Sequence, residues 1–192
     1  MTATAIAPEQ LDRLGEGDKQ PTLLIPLDGL PSDEAALEQG AALARERNAQ
    51  IRLLRVVRAQ YRGIAAEAVD ARPEQVLGSR PRGEHLFEQL ERNHECQRLR
   101  AARQYLLERQ TQLQWQGLSV AIELRYGRPV DSIVRVAQEA AVDAIVMTGR
   151  EPRGWEALYP RSVSAAAIKR VNCPVVLVGS QASARQRVKN LV

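Results

Sequence analysis

Aromatic side chains are scarce. The 192 residues include one Phe, two Trp and four Tyr. A core of any size must therefore rest on Val, Ile, Leu and Ala. Cysteine is equally sparse, and Cys96 and Cys173 alone make no disulfide framework, which fits a reducing, cytoplasmic setting. The two histidines offer no metal centre. His94 and Cys96 lie two apart and face different sides of a helix, while His85 falls on the opposite face from His94. No apolar run approaches the roughly 20 residues that cross a bilayer. The opening segment "MTATAIAPEQLDRLGEGDKQP" has no charged region followed by an apolar one, so no secretory signal is expected. There is no Walker lysine motif and no Gly-x-Ser-x-Gly elbow, so no catalytic residue is expected. Charge of one sign is not in excess either. Lys and Arg total 27 against 23 acids, a net charge of +4. That permits an anionic ligand but lacks the clustered basic face that nucleic acid calls for.

What the chain does have is alternation. "TLLIPL" at 22–27 is a short apolar run suited to a buried strand. "DGLPSDEAA" follows as loop and helix start, with Ser32 as N-cap and Asp33 and Glu34 at the positive end of the helix dipole. That helix is expected to run to about residue 48. "IRLLRVV" at 51–57 is a second strand. Residues 84–116 read as a helix, with acids early, arginines late and an apolar stripe of Leu99, Ala102, Leu106 and Leu113. Gly117 is its stop. At 1.5 Å per residue such a helix is roughly 50 Å long, so it either breaks near Asn93 or projects beyond the sheet.

Residues 118–126 predict a third strand. Gly127-Arg128-Pro129 is a turn with Pro129 at the first helical position, and Val130, Ile133, Val134 and Ala137 make the stripe of the next helix. "DAIVMT" at 143–148 is strand four, 162–171 a helix, and "PVVLV" at 174–178 strand five. Strict alternation of strand and helix predicts a doubly wound α/β fold: a five-stranded parallel sheet in the order 3-2-1-4-5, helices on both faces. Residues 1–20 are a polar tail, 21–180 one domain, 58–95 a long excursion within it, and 181–192 a basic tail. Ligands in such sheets bind at the carboxyl ends of the strands where the order reverses. Two segments meet there: "PLDGLP" after strand one and "VMTGREPRGWEALYPRSVS" at 146–164.

Those two segments also carry a resemblance. "TLLIPLDGLPSDEAALEQGAALARERNAQIRLLRVV", "GLSVAIELRYGRPVDSIVRVAQEAAVDAIVMTGREPRG" and "SVSAAAIKRVNCPVVLVG" are similar, in order and spacing, to the universal stress protein family. The resemblance covers residues 22–57 and about 117–179. It implies the same five-stranded fold and, for some members, an ATP site. Under it Pro26 and Asp28 correspond to the adenine side, Val56 to the backbone position that meets the base, and Met147 to the residue before the phosphate loop. The family writes that loop Gly-x2-Gly-x9-Gly-Ser/Thr. Here the three glycine positions are Thr148, Glu151 and Arg161, and only Ser162 fits; Gly149 and Gly154 are present but offset.

Each departure has a cost. Threonine puts a β-branched side chain at a point of close approach, Glu151 sets a carboxylate beside a polyphosphate, and Pro152 removes an N–H donor. Arg150, Arg153 and Arg161 offer side-chain contacts in exchange. Two readings stay open at several places. Asp28 either recognises a ligand or makes an Asp-Gly turn; Arg161-Ser162 either holds an anion or caps a helix; Trp155 and Tyr159 either contact a ligand or partner or fold back onto the domain. The resemblance implies a homodimer joined along Val175, Val176, Leu177 and Val178. It implies a stress-response module that binds partners, with no cofactor required and ATP weak or absent. The alternative is an adenine-nucleotide switch with a remodelled loop.

Overall fold

The computed structural model describes residues 20–58, 70–71, 86–149 and 163–179. Strands β1 (Thr22–Leu27), β2 (Gln50–Arg58), β4 (Val120–Gly127), β5 (Ala144–Gly149) and β6 (Val175–Gly179) are all mutually parallel. They lie in the order β4-β2-β1-β5-β6, which is the expected 3-2-1-4-5 arrangement. One strand was not expected. β3 (Asp70–Ala71) pairs antiparallel with the end of β4, setting Asp70 opposite Gly127 and Ala71 opposite Tyr126. Two paired residues leave no periodicity for sequence reading to detect.

The strands are apolar on both faces because both faces are covered. Leu23, Ile25, Ile51, Leu53 and Val146 join one core cluster, which Leu37, Leu43, Leu106 and Leu113 of helices α1 (Asp33–Arg47) and α2 (Leu86–Gln114) complete. Leu24, Leu54, Ile145 and Met147 point the other way and pack with Ile133, Val136 and Ala167 of α3 (Pro129–Glu139) and α4 (Val163–Ile168). The core is aliphatic, as the shortage of aromatics requires. Tyr126 is the exception, fully buried against Val57, Leu99 and Ala102.

α2 runs unbroken through Asn93, so the alternative of a break is excluded and the helix projects. Its predicted stripe of Leu99, Ala102, Leu106 and Leu113 is buried throughout. Gly117 ends it at φ +80, where its N–H reaches the carbonyl of Gln114 at 2.9 Å. Leu99 and Ala102 pack on the carboxyl ends of β2 and β4, and Leu113 lies with Leu118 and Val120 near the start of β4. The 13 residues from Leu86 to Arg98 therefore extend about 20 Å beyond Leu99, at the carboxyl end of the sheet.

Two capping expectations differ from the structure. Ser32 stands before α1 but has helical backbone angles and makes no side-chain cap, since the adjacent Asp33 carboxylate organises that turn. α4 ends at Ile168 rather than 171, because the N–H groups of Arg170 and Val171 both turn back to the Ala167 carbonyl. Pro129 opens α3 as expected, after an extended Arg128.

Removing buried methylenes from the α2 stripe tests this packing. Leu106→Ala, at a site 0% exposed, is expected to cost about 2–5 kcal/mol in urea unfolding. Trp115→Ala, at a side chain 88% exposed, is expected to change stability by no more than about 0.5 kcal/mol.

Candidate functional site

After Leu27 the chain must turn from strand to helix in five residues, and one carboxylate sets the turn. Asp33 is 3% exposed. Its Oδ2 accepts the N–H of Asp28 at 3.0 Å and of Gly29 at 2.7 Å, and the Tyr105 hydroxyl donates to the same oxygen at 3.3 Å. Asp28 Oδ1 in turn accepts the N–H of Leu30 at 3.1 Å, the local bond that favours Asp in turns. Gly29 has φ +79, and a Cβ there would overlap the Arg55 guanidinium. Glycine is required twice over at this position, for its backbone angle and for the space beside Arg55.

Arg55 leaves β2 on the α2 side. Its guanidinium lies over the Tyr105 ring at 5.0 Å, and Arg109 lies over the same ring at 5.3 Å. Such cation–ring contacts contribute about 0.5–2 kcal/mol each. Arg109 is also paired with Glu34 at 2.9 Å. Arg98 donates to Glu95 at 2.8 Å and to the Arg58 carbonyl at 3.2 Å, tying α2 to the end of β2. Arg55 Nη1 and Arg109 Nε are both shielded from solvent and have no hydrogen-bond partner. A buried donor left in that state costs about 1–3 kcal/mol.

These groups surround a half-open cleft of about 400 Å³ between the ends of β1 and β2 and the flank of α2. Asp28, Gly29, Arg55, Val56, Arg98 and Tyr105 line it, with Arg58 at its edge. Three guanidiniums thus face one carboxylate. The Asp33 carboxyl is raised to about 6, first by burial and then by the charge of Asp28. Burial, reinforced by the charge on Asp33, also raises the Tyr105 hydroxyl.

The residues expected from the sequence divide into three groups. Asp28 and Val56 are brought together as lining of the cleft. Pro26, Met147, Thr148 and Gly149 are not part of that lining. Pro26 is a half-buried β1 residue opposite Leu54. Met147 is buried beneath α3 and α4. Thr148 and Gly149 are half-buried ladder residues facing Val178 and Gly179 across β5–β6. A Cβ on Gly149 would meet only ordinary contacts with Leu177, so nothing there requires glycine. Gly154, Arg161 and Ser162, like Glu151, Trp155 and Tyr159, lie outside the described residues. Sequence reasoning missed Arg55 and Tyr105 and took Asp33 and Arg98 only as helix-dipole charges. The available signal was Arg55 itself, a charge on the covered face of an apolar strand. Among the described residues no cluster of His, Cys, Asp or Glu suits a metal, and no helix is long and apolar enough to cross a membrane.

The raised Asp33 carboxyl has a signed consequence. Its folded value of about 6 exceeds the 3.8 of a free aspartate, so the folded state holds the proton more tightly. Stability from this group is full below about pH 4 and is lost as pH rises through about 6. Asp33→Asn keeps a carbonyl acceptor without the titration. Thermal melts at stepped pH are expected to show wild type losing stability relative to Asp33→Asn across that window. A wild type that gains instead would contradict the assignment.

Residues 21–179 match the model of the Universal stress protein family. No curated protein matches the chain. Among solved structures, the hypothetical protein MJ0577 is similar with a TM-score of 0.59 at 21% identity, over 83% of this chain and 95% of that one. UspA from Lactobacillus plantarum gives a TM-score of 0.61 at 16% identity, over 84% and 99%. A universal stress protein in complex with cAMP gives 0.55 at 17% identity, over 84% and 98%. At such identities the structural likeness speaks for the fold alone, and it is the fold derived above. The family match spans most of the chain, from before β1 to the end of β6, and on that ground the chain belongs to the universal stress protein family.

Proposed function

We propose that this protein is a cytoplasmic regulatory module of the stress-response type, working as a homodimer through a protein partner and binding ATP weakly or not at all. One observation carries the reading. Thr148, Glu151 and Arg161 stand at the three positions where the family's phosphate loop has glycine. A backbone cradle for a triphosphate needs N–H groups that converge, and glycine is what lets them. Thr148 is instead a ladder residue of β5, opposite Val178. In this reading the module acts by binding rather than by turnover. The dimer would form along β6, the last strand in the sheet order, whose Val175, Val176, Leu177 and Val178 offer an apolar edge suited to pairing with a second copy.

A second reading has its own support. Asp28 and Val56 line one cleft, which supports an adenine side there, and a universal stress protein of this fold was crystallised with cAMP. In that reading the protein is an adenine-nucleotide switch, with Arg161 and Ser162 taking over the phosphates from the missing glycines.

Three measurements separate the readings. Nucleotide released from denatured protein is expected to be absent, and ATP titrated into the native protein is expected to give no heat at millimolar concentration. Measurable binding that Arg161→Glu weakens would move the conclusion to the switch. Sedimentation is expected to give a dimer at micromolar concentration, and a monomer there would remove the β6 interface.

A further inference from the structure

The cleft beside α2 has a chemistry of its own, separate from any triphosphate loop. Its wall presents Arg55, Arg58 and Arg98 against the single carboxylate of Asp28. Arg98 is already committed to Glu95 and to the Arg58 carbonyl. Arg58 is exposed at the mouth, and its guanidinium makes no hydrogen bond or ion pair among the described residues. Arg55 is held in plane by the Tyr105 ring and by Gly29, with Nη1 unpartnered. A guanidinium fixed in one plane and lacking an acceptor matches the two oxygens of a carboxylate or phosphate. The Asp28 carboxylate in the same wall limits what else can enter. It repels a second anion and accepts hydrogen bonds from hydroxyl groups. The volume of about 400 Å³ lies in the range of small-molecule sites and is modest for one.

We propose that this cleft binds a small polyhydroxylated ligand with one terminal oxyanion group, the anion seated on Arg55 and Arg58 and the hydroxyls toward Asp28. Arg98 adds positive field without giving up its existing bonds. Phosphate and carboxylate share this chemistry, and the experiment distinguishes them. The anion seat uses side chains of β2 and α2 and none from the segment after β5, while Asp28 belongs to the turn after β1 that the nucleotide reading also uses.

The test is calorimetric titration of the full chain with three probes: ribose 5-phosphate, gluconate and neutral ribose. One or both anions are expected to bind with millimolar or tighter affinity, more weakly as salt is raised, while ribose gives no signal. The stronger of the two names the oxyanion. Arg55→Gln is expected to weaken that binding by about tenfold or more, and Arg58→Gln by several-fold. Arg58 is exposed and its loss leaves the packing intact, so it carries the test if Arg55→Gln does not fold. No binding of either anion at tens of millimolar overturns the proposal. So does anion binding that both variants retain, or binding of ribose as tight as that of the anions.

Discussion

The Asp33 carboxylate accepts two backbone N–H groups from the residues that leave β1, and the arrangement of the cleft follows from that grip. Holding Asp28 and Gly29 there fixes Gly29 at a positive φ and brings its bare Cα against Arg55. Arg55 then has one place to lie, over Tyr105, whose hydroxyl closes the circuit by donating back to Asp33. Four residues determine one another: Gly29 in the turn after β1, Asp33 at the start of α1, Arg55 in β2 and Tyr105 in the middle of α2. Such a cycle resists piecemeal change. A side chain at 29, a smaller ring at 105 or a longer acid at 33 would each disturb the other three.

The length of α2 is the second constraint. A helix returning from β2 to the start of β4 needs only to span the sheet, yet this one extends about 20 Å further at the carboxyl end. That extra length carries Arg98 to the wall of the cleft. Arg98 fastens the helix to the last residue of β2 through the Arg58 carbonyl and is itself braced by Glu95 one turn earlier on the same helix. The projecting helix is thereby a wall rather than a loose arm. The same extension places a basic side chain where a helix of sheet length would leave the strand ends open.

The sheet order was legible because each strand is a short apolar run bounded by turn residues, and alternation with helices leaves few topologies to choose from. The α2 stripe was legible because burial on one side imposes a helical period on Leu99, Ala102, Leu106 and Leu113. The site was legible in part. Asp28 and Val56 follow from position in the sheet and from the resemblance. Arg55 and Tyr105 do not, being 50 residues apart in the chain and joined only by the fold, and neither belongs to a motif. Arg98 was misread for a related reason. An arginine on a helix that is otherwise polar looks like a dipole or solvent charge until the neighbouring strand end is known. β3 was illegible because two residues carry no period at all.

The two sides of the topological switch point have diverged in how they present charge. Toward β5, Thr148 and Gly149 are engaged in the ladder with β6, and no glycine-dependent geometry remains there among the described residues. Toward β2, charge is carried by guanidiniums on side chains. A backbone cradle is rigid, nearly neutral and specific for the shape of a phosphate chain. Side-chain guanidiniums are mobile unless held, and their grip weakens with salt. Arg55 is held, by Tyr105 and Gly29, and Arg58 is not. One fixed and one adaptable donor suit a single terminal anion better than a polyphosphate, which needs several fixed donors in a row. Among the described residues, the positive charge facing the switch-point turn of this family scaffold thus comes from β2 and α2.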